Sequence, residues 1–380
     1  MTGRERVLAA FSEHGTSEVG VVLPYECIFV RDHWERFTRN PWWYQFSPDM
    51  DAQVEWRRDY LYNTGCDWIC VETSEVRESR ESSRIENTND LVYRVDTRTG
   101  TRVQLVRPLV AGQHSPDVSE SVRPVSAATT PEQVDTVIRD LEVERLVDFV
   151  ELGKTDLAHR VDRGFGHTHA KLMHLPSPLW LCYHLWGFEG FMTMVIDEPA
   201  LVKHACRRYL EYSISQAKIA SLLGADVIWI EECFTDMLSP KSFADLNIPI
   251  MAALLDSIRT LGMYGVYYFT GNPTGKLHAI LETSPDALAF EEGKKGFEVD
   301  IESIAAKIKG QAVLLGNLDA IGVLQDGSED QLKSEVERQL HAGRLNNGRF
   351  IMSLGSPVTP STPIERVKLY SDLVHELGHY

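Results

Sequence analysis

From about residue 176 onward, the chain alternates between apolar runs of strand length and amphipathic runs of helix length. Strands that are apolar throughout are typical of a parallel sheet with helices on both faces. The apolar runs are PLWLCYHL, ADVIWIEE, YGVYYFTG, DALAFEE, QAVLLGNLD and GRFIMSLGS. Two earlier runs, VGVVLPYE and CDWICVET, raise the number of predicted strands to eight. The pattern therefore predicts an α/β fold, a (β/α)8 TIM barrel, with an open doubly wound sheet as the alternative.

The segment from about residue 84 to residue 125 interrupts this alternation. Within it, LVYRVDTRTGTRVQLV predicts a β-hairpin that turns at Thr99 and Gly100. We therefore predict one barrel domain over residues 1–380, with an N-terminal extension and a β-hairpin insertion over residues 84–125.

The charge balance limits the kinds of partner. The sequence has 38 Lys and Arg against 55 Asp and Glu, a net charge of −17, and it lacks the basic stripe that a nucleic acid would need. Its longest apolar stretches are about strand length and its first residues are charged, so we predict neither a membrane span nor a secretory signal. The six cysteines form no CxxC motif, which is typical of reduced thiols in a cytoplasmic protein.

Barrel proteins place their chemistry at the carboxyl ends of the strands. The residues at or after these ends are, in chain order, Glu26, Glu72, His184, Glu231, Glu232, Cys233, Tyr268, Thr270, Glu291, Glu292, Asn317, Asp319, Ser353 and Ser356. They predict an acidic, hydroxyl-rich rim with few lysines or arginines. Such a rim is unsuited to binding a phosphate.

Two adjacent carboxylates, Glu231 and Glu232, end the fourth predicted strand. Mutual repulsion raises the pKa of one carboxyl in such a pair, which leaves a proton to donate. Because neighbouring side chains on a strand diverge, we expect one glutamate at the barrel mouth and the other as its support. Two alternatives stay open: one glutamate only caps the following loop, or His184, Glu231 and Cys233 are zinc ligands.

Three other motifs do not match the functions that they suggest. HELGH at residues 375–379 fits the zinc motif HExxH, but one residue follows it, and no third ligand can come from further along this sequence. GNPTGKL lacks the spacing of a P-loop and its Ser or Thr. His167, His169 and His174 lie in GHTHAKLMH, which we interpret as an irregular surface connection rather than a metal site.

Several segments resemble the uroporphyrinogen decarboxylase superfamily. They are PLWLCYHLWGFEGFMTMVIDEPALV, GADVIWIEECFTDMLSPKSF, GNLDAIGVL and SLGSPVTPSTPIERVKLY. The resemblance extends from about residue 177 to the end and implies a (β/α)8 barrel. Members of the superfamily are either decarboxylases or cobalamin-dependent methyltransferases.

The resemblance also bears on the branch. Decarboxylases of the superfamily carry an Arg-rich segment like RQAGRYLP, whereas this chain has LPYECIFVRDHWERFTRNPWWYQF. Thiol-directed methyltransferases bind zinc through a His-x-Cys and a later Cys, and the resemblance puts Tyr268, Thr270 and Ser356 at those positions. The demethylating branch, which takes a methyl group from a donor such as a methyl ether, remains.

We therefore expect a methyltransferase that demethylates a small methylated substrate, for example a methoxy-aromatic compound, and passes the methyl group to a corrinoid (cobalamin) on a partner protein. Glu231 and Glu232 are the candidate acids, with Tyr268 and His184 as hydrogen-bonding partners. The candidate substrate-binding residues are Glu72, Arg31, Trp34, Asn317 and Trp186. The alternatives are a decarboxylase of a small or tetrapyrrole carboxylic acid and a non-catalytic subunit of a methyl-transfer complex. A homodimer is also left open.

Overall fold

Eight parallel strands form a nearly closed barrel in the computed structural model, which describes residues 1–88, 91–113, 127–139, 146–293 and 296–380. The described strands are β1 Gly20–Val21, β2 Trp68–Cys70, β3 Ser83–Thr88, β4 Leu91–Asp96, β5 Arg102–Leu105, β6 Ala170–Pro176, β7 Val227–Glu232, β8 Tyr264–Phe269, β9 Ala287–Phe290, β10 Val313–Leu315 and β11 Phe350–Met352. The order in the barrel is β1, β11, β10, β9, β8, β7, β6, β2. The two end strands meet where the Asp67 N–H donates to the Val21 carbonyl at 2.8 Å. The predicted (β/α)8 barrel is confirmed.

Helices connect the strands. The described helices are α1 Gly3–Ala9, α2 Glu26–Phe37, α3 Met50–Thr64, α4 Arg77–Glu81, α5 Pro131–Arg139, α6 Leu146–Glu151, α7 Asp156–Phe165, α8 Pro178–Leu181, α9 Tyr183–Asp197, α10 Pro199–Leu222, α11 Pro240–Thr260, α12 Leu277–Glu282, α13 Ile301–Ile308, α14 Glu329–Leu345 and α15 Ile364–Leu377. A 3-10 helix covers Trp42–Phe46, and a π-helix covers Ala320–Gln325. No described helix combines the length and the apolar character that a membrane crossing requires.

Strand β7 and helix α11 show how the sequence builds one unit of the barrel. Residues Val227–Ile230 are buried without alternation, as expected for a strand covered on both faces. Helix α11 starts where the sequence predicts, because the Ser239 hydroxyl accepts the Ser242 N–H at 3.1 Å and Pro240 occupies the first turn. The unit therefore ends its strand at Glu232, at the barrel mouth.

The predicted third strand is wrong. PLWLCYHL forms α8 and the start of α9, because Ser177 and Pro178 begin a helix in which the Ser177 hydroxyl accepts the Trp180 N–H at 3.0 Å. The third barrel strand is β6, which pairs in parallel with β2 and β7. Since His174 lies on β6, our interpretation of GHTHAKLMH as an irregular surface connection is also wrong for its second half.

Strands β3, β4 and β5 form a separate three-stranded antiparallel sheet. The chain turns between β4 and β5 around Gly100, whose φ of 73° favours glycine. Residues 89–90 and 114–125 of the predicted insertion lie outside the described residues. The division of the chain into one domain and an insertion over residues 84–125 stays a prediction.

Candidate active site

Glu231 and Glu232 point to opposite sides of β7. Glu231 lines a cavity at the carboxyl end of the barrel, and its Oε1 lies 2.9 Å from Nδ1 of His174. Glu232 is fully buried on the other side, where its Oε2 accepts a hydrogen bond of 2.5 Å from Asn247 of α11. This divergence follows from the alternation of side chains along a strand. Of the two glutamates, Glu231 is the one placed to meet a substrate.

Glu232 belongs to a buried polar network behind the strand. The Oδ1 atom of Asn247 accepts a hydrogen bond of 2.7 Å from the Tyr267 hydroxyl, so the amide links Glu232 to β8. Burial raises the pKa of Glu232 to about 7, although the nearby hydroxyl groups of Ser177 and Thr235 and the hydrogen bond from Asn247 oppose the rise. The network holds the end of β7 in place and gives Glu232 a supporting position.

His174 and Glu231 form a pair across β6 and β7. In the parallel register His174 lies opposite Trp229, so its side chain shares the barrel face with Glu231, two residues further on. Nδ1 of His174 is hydrogen-bonded to the Glu231 carboxylate. Its Nε2 is buried and has no hydrogen-bond partner in the described part of the chain. A histidine that a carboxylate orients at one nitrogen is common in acid–base sites.

Tyr25 packs against this pair from the end of the first strand. It precedes α2 with a φ of 61°, a left-handed conformation that is unusual for a bulky residue and that often marks a functional site. Its ring centroid lies 5.3 Å from that of His174 and 6.1 Å from that of Tyr268. Burial, with Glu231 and Tyr268 close by, raises the pKa of Tyr25 well above its usual value. The phenol therefore stays protonated and can donate a hydrogen bond.

The cavity beside the pair has a volume of about 500 Å³. This lies within the range of about 300–1,000 Å³ that is usual for small-molecule sites. Three aromatic and three acidic side chains are among the lining residues, and Arg57 is the one Lys or Arg among the lining residues that the structure describes. The main aromatic and acidic lining residues are Tyr25, Phe46, Trp56, Glu26, Glu72 and Glu231. The cavity suits a small, flat molecule.

Arg57 of α3 is held rigidly in the wall of the cavity. Its guanidinium carbon lies 4.0 Å from the centroid of the Trp56 ring, and its Nη1 donates to the Gln53 carbonyl at 3.0 Å. Its Nη2 forms an ion pair with the carboxylate of Glu72. Glu26 lies nearby, where its Oε2 accepts the backbone N–H of residue 70. Burial raises the pKa of Glu26 to about 7, and the charge of Arg57 opposes this rise.

The structure brings three of the predicted site residues, Glu231, Tyr268 and Glu72, to the same end of the barrel. Tyr268 is almost fully buried behind Tyr25, and its hydroxyl donates to the Gly355 carbonyl at 2.9 Å. Cys233, a candidate metal ligand, follows directly after β7. Burial and the nearby charge of Glu231 raise the pKa of its thiol well above the usual value.

Of the candidate catalytic and substrate-binding residues, Glu231 and Glu72 line the cavity, and the others do not. His184 lies in α9, because the third strand ends before α8. Trp34 is buried, and its Nε1 donates to the Asn40 carbonyl at 2.7 Å. Trp186 is buried too, and its Nε1 donates to the Ala128 carbonyl at 2.6 Å. The two tryptophans therefore hold neighbouring backbone in place.

Arg31 and Asn317 also contact loops at this end of the barrel. Arg31 donates to the carboxylate of Asp32 at 2.8 Å and to the Gly112 carbonyl. Asn317 is buried, and its Nδ2 donates to the Glu291 carbonyl at 3.2 Å. These contacts assign both side chains a part in positioning loops, and their role in binding a substrate stays a prediction.

The sequence analysis set His174 aside as part of a surface connection, and it did not consider Tyr25 or Arg57. A signal for His174 was present, because Ser177-Pro178 repeats the cap-and-proline pattern of Ser239-Pro240 and so ends the strand before it. The backbone of Tyr25 and the placement of Arg57 depend on contacts between distant segments. No local sequence pattern predicts either of these two features.

A zinc site of the thiol-directed type does not fit this chain. The three positions that the resemblance assigns to its ligands hold hydroxyl groups, those of Tyr268, Thr270 and Ser356. Within the described ranges, no group of three or more His, Cys, Asp and Glu is arranged to hold a metal ion. The alternative that places zinc at His184, Glu231 and Cys233 gains no support from this geometry.

The fold and the site together define a class: (β/α)8-barrel proteins with an acid–base pair and a small-molecule cavity at the carboxyl ends of the strands. The family model described as Uroporphyrinogen decarboxylase (URO-D) matches residues 125–377, and the chain belongs to this family. The resemblance noted in the sequence is confirmed.

The relatives include proteins with two different names. The uroporphyrinogen decarboxylase of Thermodesulfovibrio yellowstonii is 27% identical over 188 residues, which cover 50% of this chain and 49% of that protein. The methylcobamide:CoM methyltransferase MtbA of Methanosarcina mazei is 24% identical over 198 residues, which cover 50% of this chain and 54% of that protein. The chain thus spans about half the length of the curated relatives it matches in these comparisons.

Among solved structures, a methyltransferase from Methanosarcina mazei has the same fold. The two structures align with a TM-score of 0.65 over 99% of both chains, at 18% sequence identity. At this level of identity the likeness establishes the fold, and the reaction must be inferred from the site.

Proposed function

We propose that this protein is a methyltransferase that demethylates a small methylated substrate and passes the methyl group to a corrinoid on a partner protein. The observation that carries the proposal is the His174–Glu231 pair, with Nδ1 and Oε1 2.9 Å apart, beside a cavity of about 500 Å³. The similarity to a relative named methylcobamide:CoM methyltransferase supports methyl transfer as the reaction class.

The difficult step is the departure of the atom that carried the methyl group. In a methyl ether, the C–O bond would break with its electron pair staying on oxygen, and a corrinoid on the partner would supply the nucleophile that takes the methyl group. A free alkoxide or phenoxide is a poor leaving group at neutral pH, so a proton must reach the oxygen. Glu231 is the proton donor in this proposal, because its side chain lines the cavity.

His174 stabilises the carboxylate that remains after the transfer. With a proton on Nδ1, the imidazole donates to Oε1 of Glu231 while the other carboxyl oxygen releases its proton. A substrate that fills the cavity displaces water from the pair. Tyr25 lines the same cavity and supplies a second hydrogen-bond donor.

Decarboxylation of a tetrapyrrole is the second candidate, and the cavity suits it less. Three carboxylates line the cavity, those of Glu26, Glu72 and Glu231, against the single guanidinium of Arg57. A substrate with many carboxylates would be repelled by such a lining. Arg31, a predicted substrate-binding residue, already donates to the neighbouring Asp32 carboxylate and to the Gly112 carbonyl.

Incubation of the purified protein with free cob(I)alamin and a panel of methoxyarenes tests the proposal. We expect the absorption spectrum of methylcobalamin to appear with at least one donor. Glu231→Gln should abolish the signal, whereas Glu376→Gln, an exposed control on α15, should keep the wild-type rate. Release of carbon dioxide from carboxylic acids, without methyl transfer, would instead identify a decarboxylase. No turnover in either assay would favour a non-catalytic subunit.

A further inference from the structure

The ion pair between Arg57 and Glu72 is strongly asymmetric. Arg57 is 2% exposed, stacked on Trp56 and bonded to Gln53, so its guanidinium has a fixed position in the cavity wall. The side chain of Glu72, in contrast, is 58% exposed. Its Nη1 donates to both the carbonyl and the side-chain oxygen of Gln53, so Nη2, which pairs with Glu72, is the nitrogen available to a carboxylate. The arginine is therefore a preformed site, and Glu72 is a partner that can leave it.

The space next to Glu72 offers its carboxylate another position. A second cavity of about 500 Å³ adjoins the first and shares Gln45, Phe46 and Glu72 in its lining. Arg80 and Arg94 also line this second cavity. Asp156 pairs with Arg80 and Glu75 pairs with Arg94, so both of these cations already have a carboxylate partner. Rotation of Glu72 away from Arg57 would therefore move its carboxylate into open, solvent-exposed space.

We propose that Arg57 anchors a carboxylate of the substrate and that Glu72 occupies this anchor while the substrate is absent. The substrate class is then a small aromatic methyl ether that carries a carboxylate. The identity of the reacting methyl group rests on the proposed function above, whereas the carboxylate anchor rests on the geometry of Arg57 and Glu72.

At the anchor itself, the charge of Arg57 favours this class over neutral and cationic molecules. Exchange of the Glu72 carboxylate for a substrate carboxylate leaves the charge beside Arg57 unchanged, so the guanidinium stays paired. A neutral ligand has nothing to gain from Arg57, and a cation would be repelled by it. The aromatic rings of Tyr25, Phe46 and Trp56 suit the flat body of an aromatic acid.

Titration calorimetry with three ligands of one shape tests the anchor without methyl transfer. The ligands are 3-methoxybenzoate, its neutral amide 3-methoxybenzamide and the cation 3-methoxybenzylamine. We expect the benzoate to bind about tenfold or more tightly than the amide, which is the usual effect of a hydrogen bond to a charged group. Equal affinities, or a preference for the amine, would overturn the proposal.

Two substitutions with opposite expected effects separate an anchor from a merely structural ion pair. Arg57→Gln should weaken binding of the benzoate about tenfold or more. Glu72→Gln removes the competing carboxylate and should strengthen binding of the benzoate. Neither change should alter binding of the amide. Glu78→Gln, an exposed control that pairs with Arg98, should leave all affinities as they are.

Each outcome decides the question. Weaker benzoate binding in both Arg57→Gln and Glu72→Gln would mean that the ion pair only supports the fold, and the proposal would be wrong. If Arg57→Gln does not fold, the sign of the change in Glu72→Gln decides alone, since this side chain is mostly exposed. Selective benzoate binding without methyl transfer would refute the proposed function and leave the anchor intact. Methyl transfer from neutral donors only would support the proposed function and refute the anchor.

Discussion

Glu232 makes the stability of the protein depend on pH in a way that one substitution should reveal. Burial raises its pKa to about 7, from the ordinary value of 4.5. Between these two values the native state keeps a proton that the unfolded state has lost, so the free energy of unfolding falls as the pH rises and stays lowered above pH 7. One pKa unit corresponds to about 1.36 kcal/mol, so the difference from 4.5 to about 7 costs about 3 kcal/mol.

Glu232→Gln should remove this cost, because the amide carries no charge and keeps an oxygen to accept the hydrogen bond from Asn247. We expect the free energy of unfolding at pH 8 to rise by up to about 3 kcal/mol relative to the wild type. At pH 4.5, where the native state holds the proton and about half of the unfolded molecules still hold it, the two proteins should differ little.

Urea denaturation at pH 4.5 and pH 8 measures both differences, with Glu376→Gln as an exposed control that should show no such pH dependence. A Glu232→Gln variant that is less stable than the wild type at pH 8 would refute the reasoning. It would mean that the hydrogen bonds of the network more than compensate the buried charge.

Three further substitutions test the site and the corrected third strand. His174→Asn should slow methyl transfer by about 10²- to 10⁴-fold, the usual contribution of a positioned acid–base group; an unchanged rate constant for cobalamin methylation would exclude His174 from the chemistry. Asn247→Ala leaves a buried carboxylate without its amide partner and should lower the free energy of unfolding in urea by about 1–3 kcal/mol; no loss would show that the network does not support β7. Ser177→Ala removes the cap of α8 and should cost about 1 kcal/mol in the same assay, and an unaffected midpoint would contradict the assigned start of this helix.

The barrel was predictable because its later strands, from β7 onward, are apolar runs between clear helix signals. The third strand was not, because β6 carries Lys171 and His174 among its apolar residues. Lys171 pairs with Asp162 at 2.5 Å, and His174 pairs with Glu231. These tertiary contacts allow polar side chains within the strand, whereas the sequence pattern alone shows only that the segment is polar. The next segment, PLWLCYHL, looks like a strand because a short buried helix has no periodicity that distinguishes it.

The candidate site was predictable only where it depends on strand ends. Glu231 and Glu72 could be placed at the barrel mouth from their positions after apolar runs. Which glutamate of the pair faces the cavity follows from the register of β7 with its neighbours. Arg57 is contributed by a helix, and Tyr25 by a strained turn, so both depend on how distant segments pack.

Methylation of free cob(I)alamin by three proteins compared side by side tests most directly whether Glu231 is the acid at the cavity. The proteins are the wild type, Glu231→Gln and Glu232→Gln, each supplied with the same methyl donor and followed by the methylcobalamin spectrum. We predict comparable rates for the wild type and Glu232→Gln, and no methyl transfer by Glu231→Gln. Methyl transfer that persists in Glu231→Gln, or that is lost in Glu232→Gln while the protein stays folded, would contradict the assignment.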